Sequence, residues 1–354
     1  MDTQEHLTDD GQTMVMLCSA LGLTDADAAE AAPFTLSEWN PLARAIQESP
    51  LERPAALLGR APAELADALK ISPQDAGRIA RLLDRGDRLA RELANLCERG
   101  FWAVTRADAA YPATLRQTLK HQAPSVLFGA GELRRLNRAG IAVVGSRQID
   151  EAGQAFARRV GEKCAEAGVP VVSGGARGSD SLAMLAAIEA GGIVYGALAD
   201  SLERAVRQPE LRQFLLDDRL VLLTPYLPTA GFSVGAAMGR NKLIYGLADF
   251  AVVVSSDFQT GGTWAGAIEA LKAAWCPVFV REAGEVPKGN RELIAKGAAP
   301  LTEEDLAATA NLPEWLSEHA CVHPAQPVEQ DLFGMAVREP RGRYRASLKK
   351  HPPA

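Results

Sequence analysis

Two stretches, IAVVGSRQID at residues 141–150 and VPVVSGGARGSD at residues 169–180, decide the fold. Each is a short and almost entirely apolar run, then a turn of glycine and serine, then residues that open a helix. Apolar runs without polar alternation belong to strands covered on both faces, as in parallel sheets. The segment between them has helical spacing to about Gly168, so the unit reads strand, helix, strand. Each turn delivers backbone N–H groups and one arginine, Arg147 or Arg177, to the carboxyl end of its strand. Open α/β sheets bind ligands there, and the chemistry on offer is anion binding rather than proton transfer.

Working outward, the alternation continues. Strands are expected at 141–144, 169–173, 193–198, 220–223, 250–254 and 277–280, and helices near 151–167, 180–190, 209–216, 233–246 and 263–274. That pattern predicts an α/β protein with a doubly wound, mainly parallel sheet. Upstream, residues 1–10 read as a polar, disordered start, and Met14 to Arg99 as helical throughout. Ser72-Pro73 has the form of an N-cap followed by proline in the first turn. The surrounding LADALKISPQDAGRIARLL resembles a helix-hairpin-helix or related small helical module, some of which touch the DNA backbone. The connector at 100–131 should hold short strands at 101–105 and 125–128 around a Tyr111-Pro112 turn. After Pro300 the order fades, with one short helix expected within 303–319. The resulting division is a helical N-terminal domain (1–100), a central α/β domain (101–302), and a linker with a basic, disordered tail (303–354).

The chain has 354 residues, long enough for two or three domains. No apolar run approaches the roughly 20 residues that span a bilayer, so no membrane partner is expected. The five cysteines are scattered, odd in number and without a CxxC, which fits reduced thiols in the cytoplasm and no bound metal. The net charge of −6 speaks against a polyanionic partner until its distribution is considered. Residues 1–43 hold eight acids and no Lys or Arg, which leaves the remainder at +2. The last seventeen residues carry six cations (Arg338, Arg341, Arg343, Arg345, Lys349, Lys350) against Glu339 alone. Such an arm suits either nucleic acid or simple solvation.

Four turns carry the candidate chemistry. Gly145-Ser146-Arg147 follows the first strand, where glycine lets a phosphate approach and arginine grips it bidentately. In Ser173-Gly174-Gly175-Ala176-Arg177-Gly178 the three glycines make sense as a phosphate cradle, and Asp180 reads as the cap of the next helix. Gly239-Arg240-Asn241-Lys242 places two cations about an amide near a helix whose buried face is Leu243, Ile244 and Leu247. Thr260-Gly261-Gly262-Thr263 again sets hydroxyls and glycines before a helix. Together they describe an anion-lined rim. GxGxxG and the Walker lysine are both absent, so no dinucleotide cofactor or NTP hydrolysis is expected.

In this order GSR, SGxAxGxD, RN(K/R)xI and (S/T)GGT resemble the DNA-processing protein A family, also called DprA or Smf. The likeness extends upstream through Trp102 to Thr105, Asp108, Tyr111-Pro112 and Val126 to Gly129. Downstream it takes in Gly289-Asn290, Leu293-Ile294 and Gly297-Ala298. It spans roughly residues 70–300. The resemblance implies an extended Rossmann-like domain, a homodimer, single-stranded DNA on the rim, and help in loading a RecA-type recombinase during DNA uptake, recombination or defence. Arg147, the Ser173–Gly178 loop, Arg240 and Lys242 would hold phosphates. The chain departs from the family pattern in ADSLERAVRQPEL, which lacks a Tyr-Pro, at Ser255 and near Pro225 where glutamates are usual, and at Ser179 in place of isoleucine. No counterpart of the family's C-terminal winged helix is apparent.

Two other classes remain open. Phosphoribohydrolases of a related fold use PGGxGTxxE, but here Gly266 stands where that glutamate would be and Glu269 comes a turn later. A nucleotide-sensing module would use the same anion sites. In the tail, Gln330-Asp331-Leu332-Phe333 resembles a sliding-clamp-binding peptide.

Overall fold

The computed structural model describes residues 6–320. Nine strands form one sheet: β1 (Phe101–Thr105), β2 (Val126–Ala130), β3 (Gly140–Val144), β4 (Val171–Ser173), β5 (Val194–Ala197), β6 (Leu220–Thr224), β7 (Ala248–Val253), β8 (Val278–Arg281) and β9 (Ala299–Leu301). Their order is β1-β2-β6-β5-β4-β3-β7-β8-β9. The seven strands from β6 to β9 in that order pair in parallel, while β1 and β2 add an antiparallel edge. Every residue of β3, β4, β5, β6 and β8 is buried, which is why these strands read as unbroken apolar runs.

Helices cover both faces. Phe156 and Val160 of the Glu151–Glu166 helix and Ala183 and Ile188 of the Ser179–Glu189 helix pack into one layer. Leu243, Ala267 and Leu293, from the Val234–Gly246, Gly261–Ala273 and Lys288–Ala295 helices, fill the other. From β3 the chain steps outward through β4, β5 and β6, then returns past β3 to β7 on its other side. The β3 and β7 connections therefore leave in opposite directions and open a crevice at their carboxyl ends.

Residues 6–98 form six helices and a 3-10 turn, with Met14, Leu17, Trp39, Ile46, Leu65, Ile79 and Leu82 in their own core. Ser72 Oγ accepts from Asp75 N (3.0 Å) with Pro73 at the first turn, as the sequence predicts. The polar start is not featureless. Thr8 caps the Asp9–Cys18 helix, and its N and Oγ1 donate to Asp108 Oδ1 at 2.8 and 2.7 Å. Asp108 Oδ2 accepts from Thr105 N and Oγ1 at 2.8 and 2.7 Å, so this buried carboxylate clasps the first helix to the end of β1. A partner 100 residues away leaves no local signal. Val15, Met16, Leu89 and Leu96 share a core with Phe101 and Phe128, so no gap in packing separates the helices from the sheet.

Order does not fade at Pro300 either. Pro300 lies exposed in the edge strand β9, where a missing N–H is tolerated. The Glu303–Ala308 and Leu312–His319 helices follow, and Leu306, Leu312 and Leu316 are buried in the main core. The sequence predicts one short helix within 303–319 and two are present; Leu312 and Leu316 stand one turn apart, whereas Leu306 is the lone apolar anchor of its helix. The basic residues 338–350 and the Gln330–Phe333 peptide lie outside the described residues.

Candidate nucleic-acid interface

The crevice is built by turns that hydrogen-bond one another. Ser146 N donates to Ser255 O at 2.8 Å and its Oγ to the same carbonyl at 3.2 Å, joining the ends of β3 and β7. Ser179 Oγ donates to Ser146 O at 3.3 Å, which fixes the second glycine turn against the first. Gly178 has φ +88°, and a Cβ there would stand 2.6 Å from Ser146 O and 2.5 Å from Arg147 O. Only glycine fits that place. Arg147 and Arg177, one from each turn, are exposed and carry no ion pair among the described residues. At the far end of the crevice Asn290 is wholly buried: its Nδ2 donates to Val254 O (3.1 Å) and Arg281 O (3.0 Å), and its Oδ1 accepts from Ser256 N (2.8 Å). The downstream Gly289-Asn290 motif is thus a clamp on the carboxyl ends of β7 and β8.

Arg240 comes from the Val234–Gly246 helix, capped by Ser233 Oγ on Ala236 N (3.0 Å). Its guanidinium lies over Gly174, where any Cβ would overlap it, and Nη1 donates to Ala197 O at 3.0 Å. The side chain is only 8% exposed, and Nε has no partner. Burial pulls the Arg240 pKa down, opposed by the nearby Asp180 and Tyr226; the charge of Arg147 also lowers it, so the two cations are within electrostatic reach. Asp180 accepts from Gly174 N at 3.2 Å. Burial pushes its carboxyl up to about 6, against the pull of Arg240 and of hydrogen bonds from the Gly174 and Ala176 backbone. The expected capping role is corrected here. Gly178 is the N-cap, the helix starts at Ser179, and Asp180 lies inside the first turn, where it holds the preceding loop. Tyr226, which the sequence did not single out, donates from its hydroxyl to Ala236 O at 3.0 Å and lies close enough to shift Arg240.

The remaining candidates divide. Ser173 Oγ points inward to Val143 O (2.6 Å) and is wholly buried, so its hydroxyl braces the sheet. Gly175 has φ +66° and is exposed at the tip of the cradle. Asn241 Nδ2 donates to Gly262 O at 3.1 Å, tying the Arg240 helix to the next turn. There Thr260, Gly261, Gly262 and Thr263 open the Gly261–Ala273 helix, whose first N–H groups receive no side-chain cap. Lys242 turns away. Its Nζ meets Gln122 Oε1 at 2.8 Å and Glu269 Oε1 at 3.0 Å on the flank of the domain. That contact also occupies the carboxylate nearest to a phosphoribohydrolase pattern. Gly145-Ser146-Arg147, the Gly174–Gly178 loop and Arg240 therefore meet in one crevice, Asn241 joins it to the Thr260–Thr263 turn, and Lys242 does not reach it.

These features define a class: an open α/β protein that offers cationic, glycine-rich turns to an anion across its topological switch point. The family model of DNA recombination-mediator protein A matches residues 102–311, and the chain belongs to that family. It is 30% identical over 241 residues to the putative DNA processing protein DprA of Mycobacterium tuberculosis, covering 62% of this chain and 60% of that protein. It is 30% identical over 203 residues to protein Smf of Escherichia coli, covering 55% and 52%. The chain thus spans 60% or less of these curated relatives. Among solved structures it resembles DNA processing protein A of Streptococcus pneumoniae (TM-score 0.59, 21% identity, 86% of this chain and 98% of that one). It also resembles the Helicobacter pylori protein, whose single-stranded DNA binding mode has been described (TM-score 0.51, 21% identity, 62% and 97%).

Proposed function

We propose that the crevice binds the phosphates of single-stranded DNA. The observation that carries this reading is the Gly174–Arg240 contact. It places a buried cation with an unpartnered Nε under a glycine turn, with the exposed Arg147 and Arg177 beside it. Among the described residues no nucleophile–base pair stands beside them, and the cations and glycine turns support a reading of binding. Family membership supports a mediator that passes the strand to a RecA-type recombinase, acting as a homodimer in the cytoplasm. The binding of single-stranded DNA by the Helicobacter pylori relative supports the choice of ligand.

The test is fluorescence anisotropy with labelled single- and double-stranded oligonucleotides over a salt series. Preference for single strands, a steep salt slope and a large loss in Arg147→Ala support the reading. Failure to bind DNA together with tight competition by mononucleotides transfers the site to a nucleotide sensor.

A further inference from the structure

The approach to the Arg240 helix is unusually apolar for a surface. Phe232, Val234 and Met238 are 53%, 74% and 39% exposed, whereas the other strongly exposed large apolar side chains among the described residues, Leu58, Leu185 and Leu216, lie far apart along the chain. Exposed apolar side chains gathered within one short stretch mark a contact site more often than isolated ones do. Nothing in the local fold requires it. Ser233 is the N-cap, so Phe232 occupies the position that packs against the fourth helix residue in a hydrophobic staple. The residue available for that contact is Ala237, and Phe232 stays half uncovered. Val234 and Met238 are one turn apart on one helix face.

The patch borders the crevice directly. Met238 Sδ lies 3.9 Å from where a side chain at Gly262 would begin, and Arg240 follows two residues on. From Leu220 to Gly239 the chain has no charged side chain, so the patch is a neutral ledge beside a cationic rim. A single strand presents that same alternation: charged phosphates on one edge and uncharged, flat bases on the other. Aromatic side chains beside a cationic groove accept bases by stacking, with little regard to sequence.

We infer that Phe232, flanked by Val234 and Met238, is a stacking platform for a nucleobase whose neighbouring phosphates rest on the Gly174–Gly178 and Thr260–Thr263 turns. This rests on the single-stranded DNA reading above and adds to it a site for the base. The probes are labelled oligo(dT) and an abasic tetrahydrofuran strand of equal length, titrated over a salt series against wild type, Phe232→Ala and Phe232→Trp. Phe232→Ala should lose affinity for oligo(dT) on the order of 10-fold. It should bind the abasic strand as wild type does, and keep the wild-type salt slope, because no phosphate contact is removed. Phe232→Trp should restore oligo(dT) binding and show quenching by oligo(dT) beyond that of wild type. Equal oligo(dT) affinity in Phe232→Ala and wild type overturns the platform while leaving the DNA reading intact. So does an equal loss on both strands. A change of mass in light scattering with DNA affinity unchanged would assign the patch to contact between copies of this chain, and also overturns it. Wild type that binds neither probe refutes the DNA reading, and the platform with it.

Discussion

Gly174→Ala is the sharpest perturbation of the crevice, because the three atoms nearest the added Cβ all belong to one cation, Arg240. The atoms it meets are the Arg240 guanidinium group, the far end of a flexible side chain, so the backbone can stay in place while Arg240 is displaced. Displacement breaks the 3.0 Å bond from Nη1 to Ala197 O, a hydrogen bond from a charged donor that contributes about 1.5–3 kcal/mol. It also takes the counter-charge away from the buried Asp180, so the melting temperature should fall while the transition stays cooperative. At the DNA site the variant removes one phosphate contact. That flattens the plot of log Kobs against log salt by about 0.7 and weakens binding at low salt by about 10- to 100-fold. Anisotropy with oligo(dT) at four or more salt concentrations reads both quantities, and Arg240→Ala in the same series should give nearly the same slope. If Gly174→Ala binds with wild-type slope and affinity, Arg240 does not touch phosphate, and the argument built on its burial under Gly174 is wrong.

Gly178→Ala forces an L-residue to φ +88° and 2.6 Å from Ser146 O; calorimetry should show a loss of about 1–3 kcal/mol, accompanied by weaker DNA binding as the Arg147 turn is pushed aside. Asp180, with its carboxyl raised by burial to about 6 in the folded protein from the ordinary aspartate value of 3.8, binds its proton more tightly when folded. Its contribution is therefore most favourable below about pH 4 and declines by about 3 kcal/mol as pH rises through 6. Denaturant unfolding of Asp180→Asn should lack that decline between pH 4 and 6, and an unchanged pH profile would refute the burial argument. Lys242→Ala removes a half-exposed pair with Glu269, so stability should change by no more than about 1 kcal/mol and oligo(dT) affinity and salt slope should stay at wild type, in contrast to Arg240→Ala.

The parallel sheet was legible in the sequence because its strands are buried on both faces and bounded by glycine, a signal that needs no knowledge of the partner strand. The elements the sequence did not disclose depend on partners far along the chain. Thr8 is ordered by Asp108, and Leu306, Leu312 and Leu316 acquire their meaning only against the sheet face they cover. The site was readable to the same extent. The glycine turns announce themselves, since positive φ and close backbone approach demand that residue. What a side chain does within the turn was not readable. Ser173 has the composition of a phosphate ligand and spends its hydroxyl on Val143, while Asp180 has the composition of a cap and organises a loop.

Arg240 and Lys242 show why the motif alone could not distribute these roles. Two residues apart on a helix, their side chains leave the axis about 200° apart. Both cannot face the same crevice, whatever the resemblance of RN(K/R)xI to a cationic cluster. The intervening Asn241 is placed between them, and its bond to Gly262 O fixes the rotation of the helix about its axis. Once that rotation is set, Arg240 is directed to Gly174 and Ala197 at the carboxyl ends of β4 and β5, and Lys242 to Glu269 on the neighbouring helix. The amide thus decides which cation serves the rim and which serves the packing. The same rotation leaves Val234 and Met238 uncovered at the edge of the crevice, where an apolar face has no partner within the described chain.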